Sequence, residues 1–174
     1  MPTAWRLTKA RYLATAWDGE GAKRAGGRWN SVGTAVVYAS GTLSLALVET
    51  LVHLPAGVLP AYAAQPVEFD EALLAVLGDA DLPADWRADP PHASTRAIGD
   101  GWVQSGRRAV LRVPSVVVPL EFNYVFNPRH PDFARVRLGA PIAFPFALGC
   151  PRADMAGVAS PASRPGPVAG PRPL

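Results

Sequence analysis

Arg28, Tyr38 and Glu49 lie within one short stretch of the chain and bring together a guanidinium, a phenol and a carboxylate. Arg28 follows the pair Gly26 and Gly27, and Trp29 and Asn30 follow it on the same loop. A guanidinium makes a bidentate contact with phosphate or carboxylate that lysine cannot match, and glycines let the backbone approach a ligand closely. Tyr38 closes the apolar, β-branched run that begins at Thr34, and offers both an aromatic face and a hydroxyl. Glu49 is the only acidic residue between Gly21 and Val67, set in a run that is otherwise apolar. Burying a carboxylate costs several kcal/mol unless it is paired or hydrogen-bonded, so Glu49 is there for a partner or for chemistry.

Further along, Ser115 follows Pro114, where a bulge would re-aim a side chain into a pocket. Asn123 and Asn127 flank a turn-forming segment. Each residue also has an ordinary reading. Arg28 suits a surface salt bridge, Tyr38 core packing, Glu49 an arginine pair or a strand cap, and Ser115 a solvent-facing strand position. The two asparagines suit turns. Taken together they suit a pocket for a nucleotide-type molecule: an arginine for phosphate, an aromatic for a flat ring, and a carboxylate near a sugar whose N-glycosidic bond is cut.

These side chains need elements to hold them. Thr3 to Leu13 reads as a short strand or turn, and Asp18 to Gly27 as a loop. The run TAVVYA, residues 34–39, predicts a buried strand. Residues 42–54 place Leu43, Leu47, Thr50, Leu51 and Leu54 at helical spacing, with Thr42 as the N-cap. The helix is apolar on nearly every side, which predicts burial, and Pro55 and Gly57 should end it. A short strand over 67–69, a helical turn over 71–77 and a loop over 82–91 follow. A helix over 94–107 should carry Ile98 and Trp102 on one face. The run AVLRVPSVVVP, residues 109–119, predicts a strand that Pro114 confines to an edge or a bulge. Residues 135–146 hold room for a last strand. The order predicts an α+β single domain over residues 1–148. From Pro151 the proline-, alanine- and glycine-rich composition predicts a disordered tail, residues 149–174.

At 174 residues and 49% hydrophobic, the chain can bury a sizeable core. A net charge of +3 suits an anionic small ligand and is too weak to argue for nucleic acid. The single Cys150 makes no internal disulfide. The three histidines have no ligand spacing, which argues against a metal site. No apolar run approaches the roughly 20 residues of a membrane span, and the reading is a soluble, cytoplasmic protein.

GGRWNSVGTAVVYAS, then SLALVETLVHL, then LRVPSVVVPLEFNYVFNPRHPDF together resemble the RES domain, a family named for its arginine, glutamate and serine. The resemblance runs from about Arg6 to about Phe146. It implies an ADP-ribosyltransferase-like fold with a mixed β core and buried and flanking helices. It also implies a toxin neutralised by an Xre-type helix-turn-helix antitoxin, and allows a homo-oligomer within that complex. NAD+ would be a substrate rather than a bound cofactor, with inorganic phosphate as a further candidate co-substrate. By position the family's residues fall on Arg28, Tyr38, Glu49 and Ser115. On this resemblance Arg28, Tyr38 and Glu49 are the expected catalytic group. Arg28, Trp29, Asn30, Tyr38, Ser115 and Asn127 are the expected NAD+ contacts. Protein ADP-ribosylation at the same site is one alternative, and a non-catalytic binding module another. A nucleic-acid binder has only the basic pI and the arginines of the tail behind it, with no recognition motif. The chain departs from the family after Phe146, where Ala147, Leu148, Gly149 and Cys150 replace a Phe-Asp-x-Arg-like stretch.

Overall fold

In the computed structural model, residues 1–54 and 61–146 are described. The helix stop at Pro55 and Gly57, the tail, Cys150 and the departure after Phe146 lie outside them.

An eight-stranded sheet organises the fold. Strand β1 (Thr3–Lys9) pairs antiparallel with β3 (Tyr62–Glu68) along its whole length, from Thr3 opposite Glu68 to Lys9 opposite Tyr62. β1 falls within the stretch 3–13 read as a short strand or turn, whereas β3 is longer than the strand expected over 67–69. Arg6 and Lys9 break the apolar alternation of β1, and Gln65 and Pro66 break that of β3. Beyond β1 come β2 (Val37–Ser40), β6 (Phe122–Phe126), β5 (Val110–Pro114) and β4 (Leu74–Val76). On the other side, β7 (Arg137–Leu138) and β8 (Ile142–Phe144) both pair with β3. Among the described strands only β4 and β5 run parallel.

Among the described residues three α-helices accompany the sheet. Helix α1 (Glu20–Ala25) occupies part of the expected loop. Helix α2 (Leu43–Val52) packs on β1 and β2, and Thr42 caps it by accepting from the Leu45 amide at 3.0 Å. The expectation of a helix buried on nearly every side is not met. Leu45 and Ala46 are buried, whereas Leu51 and Val52 are 46% and 55% exposed. A helix lying across two strands buries one stripe, and no described element covers the opposite one. Helix α3 (Ala93–Ser105) turns Ile98 and Trp102 toward the sheet, as its periodicity predicts.

The alternation of strand side chains divides the core into two layers. One face carries Ala4, Val37, Ala39, Val110 and Phe126 against Trp17 and Phe69. The other carries Val36, Leu111, Val113 and Val125 under Trp29, Ile98 and Trp102.

Two further expectations are corrected. Pro114 does not mark an edge strand, because β5 lies between β4 and β6. It is the last residue of β5 and sits opposite Phe122. The neighbouring Ser115 amide turns toward β6 and donates to Glu121 O, so the proline nitrogen turns to the side where β4 has already ended. The apolar run after it is a turn, because Ser115 Oγ accepts from the amides of Val117 (3.1 Å) and Val118 (2.9 Å). Residues 71–77 divide into a single 3-10 turn (Glu71–Leu73) and β4.

Candidate active site

Glu49 projects from the middle of α2 and is half-buried. Its Oε1 accepts two hydrogen bonds, from Ser115 Oγ at 2.9 Å and from Asn123 Nδ2 at 2.6 Å. Asn123 is held in turn, its Oδ1 accepting from Ser40 Oγ at 2.7 Å. Thr42 Oγ1 donates to Glu121 Oε2 at 2.7 Å. The 115–121 turn is thus tied to α2 twice, at its N-cap and at Glu49. The Glu49 Oε2 atom receives no hydrogen bond from any described residue.

Tyr38 and Ser40 lie on the same face of β2, opposite Val125 and Asn123 of β6. That face is the one covered by Trp29 and α3. Tyr38 Oη accepts from the Trp29 amide at 3.0 Å and donates to Asn30 Oδ1 at 2.8 Å. Burial pushes its phenol well above the usual range, against the opposing pull of the Trp29 N–H and of Arg28 and Arg96. Asn30 is fully buried, and its Nδ2 reaches Ala22 O and Thr34 O at 2.9 and 3.0 Å. This asparagine latches the loop to α1 and to the approach to β2.

Arg28 lies inside the tight bridge between Gly27 and Asn30. Its Nη1 donates to Trp86 O and Ala88 O, both at 2.8 Å. Nη2 and Nε have no hydrogen-bond partner among the described residues. The Trp29 indole is core, 3% exposed, so this residue shapes the loop through its backbone. Arg96 and Asp100 of α3 complete the surroundings. Arg96 Nε donates to Gly27 O at 3.3 Å, and Asp100 Oδ1 accepts from the Ser31 amide at 3.0 Å. Hydrogen bonds from Ser31 and Thr34, helped by Arg96, hold the Asp100 carboxyl below its usual range, although burial pulls the other way.

One sheet face therefore carries two groups: Glu49 with Ser115, Asn123 and Ser40, and Tyr38 with Trp29, Asn30 and Arg28. Asn127 is not among them. It follows the far end of β6 from Asn123, is 5% exposed, and closes a turn by accepting from the Arg129 amide. A cavity of about 500 Å³ lies between the 79–87 segment and the 114–122 turn, walled by Leu82, Trp86, Pro114 and Phe122. Glu49, Tyr38 and Arg28 do not line it. His53 caps the C-terminal end of α2. Among the described residues no three of His, Cys, Asp and Glu cluster as a metal site would need. Sequence reasoning did not single out Ser40, Arg96 or Asp100, and it read Asn123 only as a turn residue. Only the strand alternation that pairs Ser40 with Asn123 could have pointed to two of them.

The chain is similar to several known proteins. A toxin of Yersinia enterocolitica named Toxin Res is 41% identical over 130 residues, covering 74% of this chain and 86% of that one. A Sphingobium protein named Prs ADP-ribosylating toxin is 46% identical over 134 residues, covering 74% and 83%. Among solved structures, the Mycobacterium tuberculosis MbcT–MbcA toxin–antitoxin complex contains a chain of the same fold. It superposes with a TM-score of 0.67 at 19% identity, over 82% of this chain and 83% of that one. The α+β fold expected from the resemblance is the one observed. The RES domain model matches residues 3–147, a span that takes in β1 to β8 and both groups on the sheet face, and the chain belongs to the RES domain family.

Proposed function

We propose that this protein is a toxin that cleaves the nicotinamide–ribose bond of NAD+, and that an Xre-type antitoxin neutralises it. The observation that carries the reading is Glu49, a half-buried carboxylate fixed through Oε1 with Oε2 left open, on the same sheet face as Tyr38 and the Arg28 loop. Membership of the RES family and relatives named as toxins support it. The antitoxin is inferred from the same membership and from the complex in which the structural neighbour was solved.

In this reading Arg28 meets the pyrophosphate with Nη2 and Nε. Tyr38, held neutral by burial, supports the loop that carries Arg28. The C1′–N bond breaks and its electron pair goes to the pyridine nitrogen, so nicotinamide leaves neutral. The ribose passes through an oxocarbenium-like state, and the Glu49 carboxylate stabilises that positive charge. An oxygen nucleophile then bonds to C1′ and releases its proton. Water gives hydrolysis and inorganic phosphate gives phosphorolysis. A protein side chain gives ADP-ribosylation, the outcome favoured by the name of the Sphingobium relative.

The test is product analysis. Purified protein is incubated with NAD+, with and without inorganic phosphate and with a cell extract, and nicotinamide release and label transfer are followed. Glu49→Gln should slow release by a factor on the order of 10²–10³. Absence of both release and transfer in the wild type would overturn the proposal.

A further inference from the structure

We infer that Ser115 and Asn123 act through Glu49 as positioning residues, a two-point clamp on Oε1 that turns Oε2 toward the ribose. The inference rests on the reading of Glu49 as the group facing the bond that is cleaved. Three observations carry it. The first is that Ser115 is fully buried and its hydroxyl has no capacity left for a ligand. It donates to Glu49 and accepts from the amides of Val117 and Val118, which uses its one hydrogen and both lone pairs. The second is that Asn123 approaches the same oxygen from β6, at 2.6 Å, and is fixed at its other end by Ser40. The third is that both donors choose Oε1, and nothing described donates to Oε2.

A carboxylate on a helix side chain has rotatable bonds, and two donors from different elements, the turn after β5 and strand β6, remove that freedom. One oxygen is saturated by the fold and the other is left for a ligand. Two elements are needed because one donor would leave the carboxylate able to pivot about it. The turn that brings Ser115 under α2 is itself fastened by Thr42 and Glu121, so the clamp is part of how α2 is seated on the sheet. A residue that only positions a group in the transition state lowers kcat and leaves substrate binding alone.

The experiment is a double-mutant cycle on nicotinamide release. Asn123→Ala removes one donor at a half-buried site where folding should be preserved, and thermal unfolding checks that. The expected result is a fall in kcat of about 10–100-fold with KM changed by less than about twofold. Ser115→Ala should behave alike, and Ser115→Thr, which keeps the hydroxyl, should recover most of the rate. In a Glu49→Gln background, adding Asn123→Ala should change the residual rate by less than about twofold, because the group it positions is gone. A rise in KM at unchanged kcat, or a full additional loss in the Glu49→Gln background, would overturn the inference and make these residues direct substrate contacts. If Ser115→Ala does not fold, the Asn123 arm of the cycle decides by itself. A wild type that neither releases nicotinamide nor transfers label removes the NAD+ reading and this inference with it. An active wild type with additive variants removes this inference alone.

Discussion

The carbonyl oxygen of Trp29 presses on the backbone of α3 at Gly99, so closely that it leaves no room for a Cβ there. Gly99 is fully enclosed, and the atom it faces is backbone, which cannot swing away. Its lack of a side chain lets the Arg28–Asn30 loop sit down on α3, with Asp100 of the same helix holding the Ser31 amide. Gly99→Ala must push either the helix or the loop outward. Overpacking of this kind costs about 1–3 kcal/mol or more, and the thermal midpoint should drop by roughly 5–10 °C. Differential scanning calorimetry reads the drop. An unchanged midpoint would mean that the loop is not seated on α3 as described.

Tyr38 connects that loop to the sheet, and its removal should show in two ways. Tyr38→Phe leaves the Trp29 N–H and Asn30 Oδ1 without their shared partner, at a cost of about 1–3 kcal/mol. The pH dependence has a definite sign. The folded phenol titrates well above its usual value because burial disfavours the phenolate, while the unfolded one ionises near about 10. Above that pH the unfolded chain holds fewer protons than the folded one, so stability falls as pH rises. The contribution is complete below about 10 and is lost progressively above it. Urea unfolding at a series of alkaline pH values should give a steeper loss for wild type than for Tyr38→Phe. Parallel curves would refute the assignment.

Where the sequence was a sufficient guide, one element's pattern decided the structure. Thr42 could be named as a cap because capping is local, and Ile98 with Trp102 because helical spacing survives packing. Glu49 stood out because it is one acid in an apolar run. The face that α2 leaves exposed was not legible, since burial depends on what lies opposite. β1 lay within a stretch read as a strand or turn, but its Arg6, which looks like a surface residue, is partly buried and reaches across to β2. Asn123 read as a turn residue because its partner, Glu49, is far away in the chain. The candidate site was therefore visible as separate residue types, and the bonds between them were not.

Arg6 supplies what the β1–β2 ladder lacks. The two strands pair only at Trp5 and Ser40, and beyond that point Arg6 Nη1 donates to Tyr38 O at 2.6 Å. Its guanidinium lies over the Trp17 ring, 5.8 Å from the centroid. Burial lowers its pKa to about 10, partly offset by Asp18, so it is charged at neutral pH. Arg6→Lys keeps the charge but replaces a planar, weakly hydrated cation with a compact and strongly hydrated one. Stacking on Trp17 is lost and the Tyr38 carbonyl is held less well. The expected loss is about 1–3 kcal/mol at pH 7, read by urea unfolding. Equal stability would mean that the guanidinium's shape is not what joins the strands.

Arg28 holds the carbonyls of Trp86 and Ala88 as well as standing at the candidate site. Loss of activity in an Arg28 variant therefore has two sources, a missing cation and a released 86–88 segment. Limited proteolysis separates them. Arg87 lies between the two anchored carbonyls, and trypsin cuts after arginine only where the backbone can extend into its cleft. In the wild type both neighbouring carbonyls are tied, so cleavage after Arg87 should be slow. Arg28→Ala frees them, and cleavage there should accelerate by about tenfold or more, as expected if opening had been opposed by about 1.5 kcal/mol or more of charged hydrogen bonding. Arg28→Lys, with one ammonium in place of a fork, should fall between. If Arg28→Ala loses activity while cleavage after Arg87 stays at the wild-type rate, the anchor contributes little and the loss belongs to the cation at the site.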